Sequence, residues 1–400
     1  MDYYNKLNSS IQNSINDYGL QYHLKYFDEI VKLAYIIIEN TPKLDLKEYS
    51  SNVSLNTSIQ TVVNFFNSIK PEYSYMFQNI LQEKNIYNDK EDYSVKFYKI
   101  LDKNQTEEYD GQHRNNKSEV RKDGFVHIDY AENLDDIFTI THEITHKFSQ
   151  PKNQDSTIKQ FLGETSTITM EFLLQDYLFE TTNYNSDEII THKNNRLVET
   201  YDDAGAIIFE NILLRLYRQN NNCITQDILL NYLNSIDKDS KIYELLSTKG
   251  EYYLNEIVKS GSLQFYKRQR YVIGTILASD FHKKIKNNPE KINQLCYLMD
   301  IFGHTDLVSD SDLKILETLD IPIVNNGEIR INPDGMIRLS DCYKSEVNNA
   351  AIDANFSTID NSNIESWTNN VLIAILNSTW CQIQYEQLGT VMGGGALKLE

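Results

Sequence analysis

The stretch FTITHEITHKFS, residues 138–149, constrains this chain more than any other. Ile137, Ile140, Ile144 and Phe148 recur at helical spacing, and that stripe predicts an amphipathic helix. His142 and His146 are four positions apart, so they leave the same face one turn from each other. Ile144 lies about 200° of helical rotation from each of them, which turns both imidazoles away from the stripe. Two imidazoles on one helical face suit a divalent metal, Zn²⁺ foremost. Glu143 cannot easily ligate the same ion as both histidines. Beside the first of them, it is placed instead to take a proton from a water at the metal.

A catalytic zinc takes three protein ligands and leaves a position open, so a third donor is needed. FLGETSTITMEFLLQDYL, residues 161–178, offers Glu164 and Glu171, seven residues and two helical turns apart on a shared face. One can ligate while the other supports the site through a hydrogen bond. Spacing alone does not say which.

Around these segments the pattern is mostly helical. Residues 1 to about 100 read as helices, with Leu24, Phe27, Val31 and Ile38 near helical spacing and TVVNFFNSI as a second apolar segment. The polar stretch 102–124 has little to bury and reads as a loop. In GFVHIDY (124–130) Val126, Ile128 and Tyr130 alternate with His127 and Asp129, which predicts a short strand. Asn133 with Asp135 and Asp136 marks a helix start, and helix continues to about 285 with polar breaks near 150–157, 183–192 and 219–223. After Pro322, Asn326–Gly327 and Pro333-Asp334-Gly335 separate short β-prone runs, a small meander. A helix over ESWTNNVLIAILNSTWCQIQYEQL and a disordered Gly-rich end follow. The expected fold is mainly α, with a short β element beside a cleft and a small α+β C-terminal segment. Its divisions are a helical region 1–105, a catalytic domain 106–324, and an extension 325–400 of unknown role.

Composition narrows the function classes. A formal charge of −19 disfavours nucleic acid and anionic membrane surfaces as partners. The apolar runs LAYIII (33–38) and VLIAIL (371–376) are too short to span a bilayer. MDYYNKLNSSIQNS lacks the basic start and apolar stretch of a cleaved signal. Cys223, Cys296, Cys342 and Cys381 are scattered without a CxxC pair and read as reduced thiols. A cytoplasmic protein is expected.

DDIFTITHEITHKFS and GETSTITMEFL resemble the zinc-binding segments of the metallopeptidase family that includes thimet oligopeptidase and oligoendopeptidase F, with Thr167 where serine is usual. The resemblance implies one Zn²⁺ per chain held by His142, His146 and Glu164, with Glu171 as the supporting carboxylate. GFVHIDY is similar to the family strand that lines the cleft, which makes His127 a candidate substrate contact. SLQFYKRQRYVIGTILASDFHKKI (262–285) is similar to the family's tyrosine-rich segment. By that likeness Tyr271, and next Tyr266, donate hydrogen bonds to the oxyanion of the tetrahedral intermediate. DLKILETLDIPI (312–323) looks like the end of the family's catalytic region, so the likeness runs from about 118 to 324.

Three departures stand out. Residues 250–265 lack the histidine that family members usually carry there, only about 140 residues precede the zinc helix, and 325–400 are unaccounted for. The basic run Lys267-Arg268-Gln269-Arg270 fits either a peptide carboxylate or a solvated helix face. His23, His192, His282 and His304 read as isolated surface or satisfied core residues. The expected activity is zinc-dependent hydrolysis of internal bonds in short unstructured oligopeptides. The alternatives are a weakly active peptide-binding or regulatory module on the same scaffold, and an exopeptidase trimming one end.

Overall fold

Helix caps and breakers set the element ends in the computed structural model. It describes residues 2–17, 27–41, 46–87, 90–100, 108–109, 112–113, 118–121, 124–149, 157–182, 184–304, 324–325 and 328–329. Helices α1 (Asp2–Asn16) and α2 (Phe27–Asn40) come first. The Ser54 hydroxyl accepts from the Thr57 N–H and starts α3 (Leu55–Ile69), and Pro71 opens α4 (Pro71–Gln82).

Residues 84–99, expected to be helical, form strands instead. β1 (Lys84–Tyr87) pairs antiparallel with β2 (Lys90–Tyr93), and β3 (Val95–Lys99) follows. Val95 and Phe97 alternate with Lys96 and Tyr98, a period of two that outweighs helix propensity once a partner strand is present. That partner is the expected strand, Val126–Tyr130. Numbered after the two-residue strands β4 (Glu108–Tyr109), β5 (Gln112–His113) and β6 (Glu119–Val120), it is β7. β7 is central in a three-stranded sheet, parallel to β3 and antiparallel to β6.

Seven helices follow among the described residues: α5 (Asp135–Phe148), α6 (Thr157–Thr181), α7 (Ser186–Gln219), α8 (Gln226–Ser235), α9 (Lys241–Ser260), α10 (Phe265–Asn287) and α11 (Ile292–His304). The fold is mainly α, as expected. The break anticipated at 183–192 is shorter, because Asn185 caps Asp187 and lets α7 begin within it. Breaks at Ile236 and Gly261 were not foreseen; Gly261 closes α9 at φ 71, a left-handed position that favours glycine.

The α5 stripe does what its periodicity predicts. Ile137, Ile140, Ile144 and Phe148 are buried among Val62, Phe65 and Phe66 of α3, Phe77 of α4, and Val126 and Ile128 of β7. Each such side chain contributes about 1.5–3 kcal/mol of burial. Phe148 stacks on Tyr73 at 5.3 Å. The N-terminus of α5 is tied by Asp136, whose carboxylate accepts from the Ala131 N–H (2.8 Å) and Asn133 N–H (3.2 Å). Burial pushes the Asp136 carboxyl up to about 6 against those two hydrogen bonds.

Val324–Asn325 pairs antiparallel with Glu328–Ile329. The segment 312–323, the turn at 333–335, the helix expected over 365–388 and the Gly-rich end lie outside the described residues. Among those described, no helix is long and apolar enough to cross a membrane.

Candidate metal centre

The opposite face of α5 is covered too, by α6. His142, His146 and Glu164 each offer a ligand atom, all within 4.8 Å of one another. Glu164 Oε2 lies 3.6 Å from His142 Nε2 and 3.5 Å from His146 Nε2. It is buried and has no hydrogen-bond partner. An isolated buried carboxylate oxygen is costly, and here it faces two imidazole nitrogens. This donor set of two nitrogens and one oxygen fits Zn²⁺, which would satisfy the orphaned oxygen. Burial opposes ionisation of Glu164, yet His146, His142 and Arg270 together hold its carboxyl down to about 2.

Glu171 stands two turns further along α6 in opposite circumstances. Its Oε1 meets His142 Nδ1 at 2.5 Å and accepts from Arg196 Nη2 at 2.7 Å. Its Oε2 meets His192 Nε2 at 2.9 Å and accepts from Arg196 Nε at 3.2 Å. Despite burial, Arg196, His142 and His192 hold this carboxyl well below the usual range. An ionised Glu171 only accepts, so His142 donates from Nδ1, and Nε2 is the ring nitrogen that faces Glu164. His192 itself is stacked 3.7 Å from Phe138 and reaches Asp135 at 3.1 Å.

Above these residues opens a cleft of about 540 Å³, lined by His142, Glu143, Glu171, Arg196, Tyr271 and others from α7. Glu143 is nearly buried, and burial raises its carboxyl pKa against the pull of His142 and His146. Tyr271 is on α10, which presses against α6 at Gly274: a Cβ there would sit 2.7 Å from the Glu164 Cβ. Only glycine allows that approach, and it brings α10 against Glu164. The start of α10 is held by buried Glu210 of α7, which accepts from the Gln264 N–H at 2.9 Å and the Phe265 N–H at 2.8 Å.

The structure therefore gathers His142, Glu143, Glu171 and Tyr271 at the cleft, and His146 and Glu164 beside His142. Tyr266 and His127 do not line this cleft. Tyr266 packs edge-on to Phe265 beneath Lys267, and His127 is buried on β7 against Tyr98.

Sequence reasoning missed Arg196 and undervalued His192. The available signal was their spacing of four on α7, one polar face that also carries Glu199 and Asp203. The basic run resolves into separate fates. Arg268 Nη1 donates to Asp203 at 2.7 Å, while Arg270 turns toward Glu164 and Tyr271.

No family model matches the chain, and neither does any curated protein. Solved structures do. A provisionally named peptidase from Chlamydophila abortus is 15% identical at a TM-score of 0.46, over 88% of this chain and 55% of its own. A provisionally named oligoendopeptidase F from Bacillus anthracis is 13% identical at 0.46, over 86% and 56%. PZ peptidase A in complex with an inhibitor is 14% identical at 0.48, over 83% and 58%. The chain thus spans just over half the length of the structures it matches.

Proposed function

We propose that this protein is a zinc-dependent endopeptidase for short, unstructured oligopeptides. The observation that carries the reading is the unsatisfied Glu164 oxygen facing two imidazoles, one of which, His142, lines the same cleft as Glu143 and Tyr271. His142, His146 and Glu164 would hold the ion, which supplies Lewis-acid polarisation of the scissile carbonyl and lowers the pKa of attacking water. Glu143 takes that water's proton and delivers it to the leaving amine, a role helped by burial that raises its basicity. The Tyr271 hydroxyl donates to the developing oxyanion. Glu171 fixes the His142 ring and its tautomer. The volume of the cleft suits a few residues of an extended chain rather than a folded protein.

The test incubates the protein with mixed peptides of roughly 6–15 residues, a length that suits such a cleft, and reads products by mass spectrometry. Internal cleavage by the wild type is expected, with Glu143→Gln slower by roughly 10²–10⁴-fold at unchanged zinc content. Wild-type activity in Glu143→Gln would overturn the mechanism. Trimming from one end would make the protein an exopeptidase. Full zinc occupancy and peptide binding without cleavage would make it a binding module.

A further inference from the structure

Arg270 and Tyr271 are adjacent on α10, and helical neighbours normally point about 100° apart. Here they touch. Arg270 Nη2 donates to the Tyr271 hydroxyl at 2.6 Å, and its guanidinium carbon lies 4.6 Å from the ring centroid. On its other side Arg270 Nε is 3.6 Å from Glu164 Oε1, while Oε2 is the oxygen that meets the two imidazoles. That Nε is buried and makes no hydrogen bond. The guanidinium thus sits between the carboxylate proposed to ligate zinc and the phenol proposed to meet the oxyanion. Its fork allows both contacts at once, which an ammonium group could not reproduce.

A phenol oxygen has one proton and two lone pairs. With a lone pair occupied by the guanidinium, the O–H must point elsewhere, and the cleft is where Tyr271 is open. A charged donor on the oxygen also polarises the remaining O–H and strengthens it as a donor.

We infer that Arg270 is a positioning residue that couples Glu164 to the Tyr271 hydroxyl, so that filling the metal site and aiming the oxyanion donor are linked. The inference rests on the endopeptidase reading and supplies a reason why a chain without the histidine sought in 250–265 can still stabilise an oxyanion. Arg270 acts through Tyr271, so its loss should have no effect once the hydroxyl is gone.

The experiment compares wild type, Arg270→Lys, Arg270→Gln, Tyr271→Phe and Arg270→Gln/Tyr271→Phe on a peptide the wild type cleaves. Zinc content is measured throughout. Arg270→Gln should lower kcat roughly 10–100-fold with KM within about threefold, as expected for a weakened oxyanion donor. Arg270→Lys should recover only part of that loss. The double variant should be no slower than Tyr271→Phe alone, within about twofold.

An activity-independent arm replaces Tyr271 by 3-fluorotyrosine and follows its fluorine resonance as zinc is added. The resonance should move in the wild-type background and move far less with Arg270→Gln or Arg270→Lys. Multiplicative losses in the double variant would overturn the inference. So would a zinc-induced shift that survives loss of Arg270. A loss confined to KM that disappears with C-terminally amidated peptides would also overturn it, by making Arg270 a substrate-carboxylate contact. Absent zinc or absent wild-type cleavage would instead sink the endopeptidase reading, so the two failures are distinguishable.

Discussion

Two glutamates seven residues apart on α6 share a residue type, a helix face and near-complete burial, yet they live in opposite surroundings. Glu171 has both oxygens engaged by His142, His192 and Arg196. Glu164 leaves Oε2 without a hydrogen bond and Oε1 at 3.6 Å from Arg270. A buried carboxylate with every lone pair answered is a structural strut: it orients what touches it and has nothing to offer a ligand. A buried carboxylate with an unanswered oxygen beside two imidazoles is incomplete until something cationic arrives. The comparison teaches which of the two is expected to ligate, without appeal to any relative.

The largest effect should separate them by metal affinity. Glu164→Gln removes the proposed ligand and should abolish stoichiometric zinc binding, weakening it by roughly 10³-fold or more, in line with the large share each ligand has of a zinc site's binding energy. Glu171→Gln leaves the ligands in place and should cost only about 10–100-fold. Competition with a chromophoric chelator reads both. Equal losses, or a larger loss for Glu171→Gln, would break the comparison and move the ligand to position 171.

Stability should invert the order when metal is absent. In chelator, Glu171→Gln strands the Arg196 guanidinium and two imidazoles against a neutral group, and should cost about 3–5 kcal/mol, as for a broken buried ion pair. Glu164→Gln removes a carboxylate that His146, His142 and Arg270 hold ionised but whose Oε2 accepts no hydrogen bond, and should cost less. With zinc at about a hundred times the wild-type Kd, binding adds about 2.7 kcal/mol to the wild type and, at the 10–100-fold weaker affinity expected of it, about 0.4–1.4 kcal/mol to Glu171→Gln, while Glu164→Gln gains nothing, so the gap between the two variants should narrow by about that amount. Denaturant titrations with and without zinc read the narrowing. Parallel shifts in both conditions would mean that Glu164 does not bind the ion.

Why the sequence exposed one half of this site and not the other follows from distance along the chain. His142, Glu143 and His146 are legible because a helix turns spacing directly into geometry, and the stripe beneath them names the buried face. Glu164 and Glu171 are legible as a pair for the same reason. Their division of labour is not, because it depends on His192 and Arg196 arriving from α7, 21 and 25 residues beyond Glu171. Arg270 was visible as a charge, but its direction is set by the close contact at Gly274, a tertiary fact that periodicity does not carry. The strands at 84–99 were missed on the same ground. Their alternation becomes decisive only against β7, whose partner register begins at Val126.

The smallest effect should come from pH, and it probes what holds Glu171. Burial alone would lower the His192 pKa, but hydrogen bonds from its ring to Asp135 and Glu171 outweigh that and raise it to about 9. The folded protein therefore keeps this proton at pH values where the unfolded chain, near 6.5, has lost it. Where the folded state binds more protons, stability falls as pH rises. His192 thus contributes fully below about pH 6.5, and the contribution fades as pH rises through about 9. In chelator, the stability difference between wild type and His192→Gln should shrink across that window by at most about 3 kcal/mol, at 1.36 kcal/mol per pH unit. Chemical denaturation at closely spaced pH values checks it. A constant difference would mean that His192 stays neutral and that Arg196 alone balances the Glu171 charge. Glu171 would then be a simple ion pair, and the contrast with Glu164 would rest on one cation instead of a network.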